Sequence, residues 1–199
     1  PGNEAIRKES SKLNVPRIGV RFRLPASMNQ VEYFGRGPAE NYLDRNAGSM
    51  VGLYKSTAEE LYFPYVRPQE NGHHTDTRWV SLSTGKKGLL IQADNTIGFN
   101  ALRNSIEDFD DEEATGLPRQ WSNFTPEQVA NHDEAAAKNV LRRQHHINDI
   151  TPRDFVEVCV DLKQQGVAGY DSWGSRPEPA YTLPANREYN WGFTLIPLK

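Results

Sequence analysis

The sequence has one cysteine, no long apolar run and no excess of basic residues. Because Cys159 has no second cysteine to pair with, an internal disulfide is excluded. No stretch approaches the ~20 apolar residues that a membrane-spanning helix needs, so a membrane partner is not expected. Acids and bases are interleaved at a formal net charge of -3, and no basic stripe is available to neutralise a phosphate backbone. This pattern argues against nucleic acid as a partner.

The residues that are present are those of a globular protein. Hydrophobic residues make up 37% of the 199 positions, with four Trp, eight Tyr and eight Phe. A chain of this length removes roughly 70% of its unfolded surface from water on folding. It starts at Pro1 rather than at methionine, which is typical of a processed protein or of a piece excised from a longer one, and we favour the second interpretation.

Apolar and polar residues alternate with the period of two that half-buried strands require. The clearest example is Ile18, Val20, Phe22 and Leu24 against Gly19, Arg21 and Arg23. The same pattern predicts strands over 156–162, with Cys159 as a buried structural thiol, and over 189–195. Shorter strands are predicted at 31–34, 78–82, 89–93 and 97–102. Short strands separated by Gly, Pro and Asn clusters indicate an all-β fold.

One helix is expected among these strands. Thr125 supplies a capping hydroxyl, Pro126 stands at the first helical position and Gln128 can close a capping box. These signals predict a short helix over about 126–137. Prolines and glycines are spread along the chain rather than gathered in a linker, so we predict a leading loop over 1–15 and a single domain over 16–199.

Histidine pairs and an acidic run are candidate metal ligands. His73-His74 and His145-His146 are adjacent, and neighbouring side chains of a strand point to opposite faces, so we predict structural or surface histidines and no metal site. The acidic run includes Asp108 and extends over 107–113 without the glycine turn of a calcium loop. A solvated loop is the preferred interpretation.

Glu70 is the most notable single carboxylate, because turn residues surround it in Pro-Gln-Glu-Asn-Gly and aromatics precede it. A catalytic acid of a glycosidase pair is one interpretation. A structural turn acid that accepts backbone hydrogen bonds is preferred.

Trp173 is a large aromatic among small and polar residues, in the segment Gly-Tyr-Asp-Ser-Trp-Gly over 169–174. Such a segment is expected to be a loop, and loops carry function more often than strands do. An indole presented there can stack on the apolar face of a pyranose. The alternative is a tryptophan folded back over the edge of the sheet. The residues alone leave both open.

Four motifs in order resemble one known family. They are Pro-Arg-Ile-Gly from Pro16, Gly-Arg-Gly-Pro-Ala-Glu-Asn-Tyr-Leu-Asp-Arg from Gly35, Pro-Tyr-Val-Arg-Pro-Gln-Glu-Asn-Gly from Pro64, and Asp-Ser-Trp from Asp171. Together they resemble the C-terminal domain, or small chain, of bacterial β-galactosidases of glycoside hydrolase family two. The resemblance runs from about Val15 to Lys199.

The resemblance implies a galactose-mutarotase-like β-sandwich, or supersandwich, the last of five domains in an enzyme whose TIM barrel holds the active site. Both catalytic glutamates of the retaining mechanism would belong to that barrel, so no catalytic residue is assigned here. Trp173 would reach the barrel's site and bind substrate, with Tyr170, Asp171 and Ser172 positioning the loop. No cofactor is assigned to this chain. The parent family often uses Mg and Na ions in other domains.

The chain departs from the family pattern in two ways: it lacks the N-terminal part of the domain, and it lacks the barrel. The family's domain has roughly another half N-terminal to Pro16, so the sandwich is expected to be incomplete, or to have its missing strands replaced by contacts between chains. An open sheet edge invites such self-association. Without the barrel, the chain alone should not hydrolyse galactosides. A soluble bacterial protein is expected, cytoplasmic or periplasmic.

Three functions remain as hypotheses. The first is a non-catalytic domain of an enzyme that hydrolyses terminal β-D-galactosides such as lactose, with the missing barrel as its partner. The second is a free-standing carbohydrate-binding module that uses the same tryptophan. The third is an aldose 1-epimerase, whose chemistry needs a positioned acid and base.

Overall fold

The computed structural model describes residues 13–109, 147–171 and 174–199. The chain divides into two compact units. The larger comprises the described residues of Pro1–Phe63, Asn71–Arg103 and Asp154–Lys199, and the smaller those of Pro64–Glu70 and Asn104–Arg153. Within these described stretches, we find no helix with the length and apolar character that a bilayer crossing requires. The expectation of one domain over 16–199 stays a prediction.

Seven strands, all in the larger unit, confirm the all-β prediction. They are β1 (Arg17–Pro25), β2 (Gln30–Gly37), β3 (Met50–Thr57), β4 (His74–Ser83), β5 (Gly88–Leu102), β6 (Phe155–Gln164) and β7 (Phe193–Leu198). The described residues also form three short 3₁₀ helices, at Ile106–Phe109, Ile147–Asp149 and Pro179–Tyr181. The helix predicted over 126–137 lies outside the described residues.

The strands form one antiparallel sheet in the order β1-β6-β5-β4-β2-β3, as expected for the sandwich class. The long strand β5 pairs with β7 through Gly88–Ala93 and with β6 through Gly98–Leu102, so two partners follow each other along one of its edges. Strand β4 pairs along the other edge. The last strand is thereby fixed to the middle of the sheet.

A row of apolar core side chains crosses this sheet in register, and β6 is buried on both faces over residues 156–161. Tyr33, Val80 and Ile91 are opposite one another in register across β2, β4 and β5, and Phe99 faces Val160 of β6. All five side chains are fully buried. In β6 the alternating residues Val156, Val158 and Val160 are buried, whereas Val20 of the alternating set in β1 is 44% exposed. Cys159 is buried as a free thiol, as predicted.

Three strand predictions needed correction. The last strand begins at Phe193, so Tyr189 and Trp191 precede it. The two strands predicted at 89–93 and 97–102 are one continuous strand. Strand β3 was not predicted at all, because its residues at the end of the sheet order lack the alternation that a half-buried strand shows.

Candidate functional site

The segment predicted to touch sugar follows β6. Ser172 and Trp173 lie outside the described residues, whereas their neighbours are described on both sides. Tyr170 is 59% exposed and Asp171 is exposed as well. Gly169 and Gly174 both have a positive φ, of 90° and 87°, which side chains rarely allow. We call residues 166–175 the Trp173 loop.

The two sides of the Trp173 loop are joined by a hydrogen bond. The backbone N–H of Tyr170 donates to the hydroxyl oxygen of Ser175 at 3.0 Å. This contact involves the backbone of Tyr170, and the loop-positioning role of its side chain stays a prediction. Ser175 carries no motif or periodicity that would have predicted this contact.

The first residues of the Trp173 loop are held by Asp44. Its Oδ1 accepts the N–H of Val167 at 3.1 Å and its Oδ2 accepts the N–H of Ala168 at 2.7 Å. Asp44 belongs to the Asn-Tyr-Leu-Asp-Arg motif, which had been noted only as part of the family resemblance. The backbone N–H of Gly166 also donates to the carbonyl of Tyr181 at 2.8 Å.

Asp44 is the second-last residue of a segment, Pro38–Arg45, in which other side chains also make contacts. Glu40 accepts the N–H of Gly72 at 2.6 Å through Oε2 and pairs with Arg45 Nη2 at 2.5 Å through Oε1. The guanidinium of Arg45 also lies 4.8 Å from the ring centroid of Tyr42, which is 1% exposed. Glu40 therefore connects the segment to Gly72, and Arg45 connects two of the segment's own residues.

Asn41 makes the densest set of these contacts. Its amide nitrogen donates to the carbonyls of Arg36 and Ala39, each at 3.1 Å. Its amide oxygen accepts from the backbone N–H of Thr75 at 3.0 Å and from the Thr75 hydroxyl at 2.6 Å. The side chain is fully buried. The Gly35 and Pro64 motifs are thus joined by the Glu40–Gly72 hydrogen bond, and Asp44 of the first motif binds the start of the Trp173 loop.

His73 and His74 are structural histidines, one of the two roles predicted for them. Both are 1% exposed. His73 Nδ1 lies 2.8 Å from Asn100 Oδ1, and because that oxygen only accepts, His73 is protonated at Nδ1. His74 contacts the carbonyls of Gly72 at 3.1 Å and Pro38 at 3.2 Å. His145 and His146 lie outside the described residues.

Burial sets the protonation state of both rings. Loss of hydration, together with the positive charge of Arg17, lowers the pKa of His73 to about 3. Burial lowers the pKa of His74 as well. Arg17 lies 3.0 Å from Asp161, whose carboxylate is 3.9 Å from His73. Both histidine rings are therefore neutral at physiological pH.

The prediction of a solvated acidic loop is wrong at Asp108, the one aspartate of the run that lies among the described residues. Asp108 is 3% exposed rather than solvated. It forms an ion pair with Arg153 and accepts the backbone N–H of Ser105 at 2.9 Å. All three residues belong to the smaller unit. Residues 110–113 lie outside the described part of the chain.

Glu70 is partly buried in the irregular segment Pro64–Glu70 of the smaller unit. Its role as a structural turn acid stays a prediction. Over the described ranges, no three His, Cys, Asp or Glu side chains are grouped closely enough to hold a metal ion.

A cleft of about 530 Å³ opens beside the base of the Trp173 loop. It is lined by Leu13, Asn14, Gln165, Arg176, Pro177, Pro179 and Thr182. Its lining combines polar side chains with the rings of two prolines.

The fold and the site define an all-β domain in which the carboxylate of Asp44 binds the base of an exposed loop after β6. The chain belongs to the β-galactosidase small-chain family, whose profile matches residues 3–195. A β-galactosidase of Priestia megaterium is 35% identical over 196 residues, which are 98% of this chain and 16% of that protein. A β-galactosidase of Vibrio cholerae is 29% identical over 91% of this chain and 14% of its own length. One from an Arthrobacter species is 42% identical over 47% of this chain and 10% of its own length.

Proposed function

We propose that this chain is the non-catalytic C-terminal domain of a β-galactosidase of glycoside hydrolase family two. The observation that carries the proposal is the unequal coverage: nearly the whole chain matches a β-galactosidase, yet it spans only about a sixth of that protein. The parent enzyme would hydrolyse terminal β-D-galactosides such as lactose. Its TIM barrel would supply the two glutamates of a retaining mechanism and would be the partner of this domain. Mg and Na ions would be held by its other domains.

In this proposal, Trp173 forms one wall of the sugar site. An indole face can stack on the apolar face of a galactose ring, where it replaces water without taking part in proton transfer. The exposure of Tyr170 and Asp171 and the two positive-φ glycines around the loop support the presentation of a side chain to a partner surface. Tyr170, Asp171 and Ser172 would hold the loop in shape.

The decisive experiment is Trp173→Ala in the full-length enzyme that carries this chain. Loss of a stacking contact of about 1 kcal/mol should raise KM roughly fivefold with little change in kcat. Trp173→Phe, which keeps an aromatic face, should restore most of the affinity. Trp191→Ala, which removes a tryptophan packed against Phe193 at 5.3 Å, serves as the control and should leave KM unchanged. A fall in kcat at constant KM would refute the stacking role.

A free-standing carbohydrate-binding module is the second candidate, favoured by the cleft beside the loop. Calorimetric titration of the chain with galactose and lactose separates the two proposals. Micromolar binding that Arg176→Ala abolishes would favour the module. No binding, together with no turnover of a chromogenic galactoside by the chain alone, would favour the enzyme domain. The aldose epimerase hypothesis gains nothing from His73 and His74, because both are buried.

We also propose that the chain can self-associate through β3, at one end of the sheet order. Met50 and Leu53 on this strand are 71% and 58% exposed. Exposed apolar side chains on a terminal strand favour strand-to-strand association. Sedimentation should show a concentration-dependent oligomer that Leu53→Lys weakens, and an unchanged monomer in both proteins would refute this.

A further inference from the structure

We infer that Asp44 is the residue that positions the Trp173 loop, an inference that rests on the proposed role of Trp173. Asp44 is a positioning residue and not a catalytic one. Its carboxylate binds the backbone where the loop leaves β6, five and six residues before the tryptophan. A shift of Val167 and Ala168 would therefore also change the position of Trp173.

The geometry of the contact is specific for a carboxylate. Val167 donates to one oxygen and Ala168 to the other, at 3.1 Å and 2.7 Å, so both acceptors are used. An asparagine could accept only one of these bonds and would place its own NH₂ group against the second N–H. Two hydrogen bonds to an ionised acceptor hold a backbone more strongly than neutral contacts do.

The backbone at Ala168 shows why an external contact is needed. Ala168 has a φ of 56°, a left-handed conformation that is unfavourable for any residue with a Cβ. Such a conformation persists only where the surroundings impose it. The shorter of the two Asp44 bonds, at 2.7 Å, is made to this residue.

Gly166 leaves the space that Asp44 occupies. A Cβ at this position would lie 2.5 Å from Oδ2 and 2.6 Å from Cγ of Asp44. Gly166 does not have a positive φ, so alanine would suit its backbone and would clash only with the nearby carboxylate. Gly166→Ala is therefore a second, independent way to displace Asp44.

Asp44 is itself rigidly held. It follows Asn41 and Tyr42, both buried, within the Pro38–Arg45 segment. Asn41 binds the backbone of Thr75 in β4, and its own N–H donates to the carbonyl of His73 at 2.7 Å. The loop base is thus tied through one segment to the start of a sheet strand.

The test uses the full-length enzyme, with Asp44→Asn and Gly166→Ala as parallel variants. Each should raise KM several-fold, up to the rise caused by Trp173→Ala, with kcat little changed. Hydrogen exchange at the amides of Val167 and Ala168 should accelerate in Asp44→Asn. Glu60→Gln is the matched control, because its carboxylate also accepts a backbone N–H, that of Thr57 at 3.0 Å, and lies outside the Pro38–Arg45 segment and the Trp173 loop. It should leave KM and the exchange of the Val167 and Ala168 amides unchanged.

A double variant separates the two proposals. If Asp44 acts through Trp173, adding Asp44→Asn to Trp173→Ala should raise KM no further. Unchanged amide exchange in Asp44→Asn would overturn the anchoring contact. Faster exchange with unchanged KM, while Trp173→Ala raises KM, would overturn the positioning role and leave the stacking role intact. An unchanged KM in Trp173→Ala would overturn the proposed function, and with it this inference.

Discussion

Single side chains of the Pro38–Arg45 segment connect parts of the chain that are far apart in sequence. Asp44 binds residues 123 and 124 positions away, and Asn41 binds Thr75 34 positions away. In the sheet, rows of backbone hydrogen bonds join distant parts of the chain. Here a single side chain joins them. Each such residue should therefore matter more than its size suggests.

Asn41→Ala should lower the free energy of unfolding by about 2–4 kcal/mol, because it leaves several buried polar groups without partners. The Thr75 hydroxyl and N–H and the carbonyls of Arg36 and Ala39 all lose a bond. Urea denaturation measures the change.

Asn29→Ala is the control, since this amide bonds only to the exposed carboxylate of Glu59, at 3.1 and 3.3 Å. Its cost should be within about 1 kcal/mol. Equal losses in the two variants would show that the buried network of Asn41 contributes little.

Residue-level function was only partly accessible from sequence. Motif order pointed to Trp173 and its neighbours, but Asp44 could not be assigned, because its partners lie 123 positions later. Asp108 was misjudged for a related reason. A run of acids looks solvated until the distant arginine that pairs with one of them, here Arg153, is known.

At the scale of elements, alternation predicts that a strand forms but not where its pairing stops. It identified β1 and β6 because both carry a regular apolar face. It extended β7 back to Tyr189, although the ladder with β5 ends at Ala93–Phe193 and is followed only by the bond from Asp94 to Gly192. It also divided β5 at polar residues that stay extended while the strand changes partner.

The register shift in β1 gives a prediction for this element. It lies between Ile18 and Gly19, where a Cβ on Gly19 would come within 2.5 Å of the Val160 carbonyl and 2.9 Å of the Asp161 Cα. Gly19→Ala should therefore destabilise the protein by about 1–3 kcal/mol through overpacking. Thermal denaturation should show a clear drop in Tm.

Gly48→Ala is the matched substitution, because an added Cβ there meets no atom within 4 Å. It should change Tm little or raise it slightly. Similar losses at both positions would indicate that glycine flexibility, rather than contact with β6, explains the effect at Gly19.

At the scale of the whole molecule, the buried histidines link stability to pH. The unfolded chain binds a proton at His73 with a pKa near 6.5, whereas the folded chain resists it until about pH 3. The contribution of His73 to the free energy of unfolding is therefore complete above pH 6.5. It decreases as the pH drops toward 3, by about 1 kcal/mol per pH unit for one such group. His74 adds in the same direction.

Urea titrations between pH 7.5 and 5.0 measure this slope above the range where most carboxylates are protonated. His73→Gln keeps an N–H donor for Asn100 and removes the titrating group, so its slope should be smaller by about one proton. An equal slope in both proteins would mean that His73 is not protonated on unfolding in this range.

The position of β7 also has a consequence for synthesis. Strand β5 leaves the ribosome with the edge of Gly88–Ala93 unpaired, and the residues that cover it follow about a hundred positions later. At about 5–20 residues per second, translation leaves this edge open for roughly 5–20 s. Nascent chains truncated before Phe193 should therefore require a chaperone, and the addition of β7 should be the step that makes them independent of it.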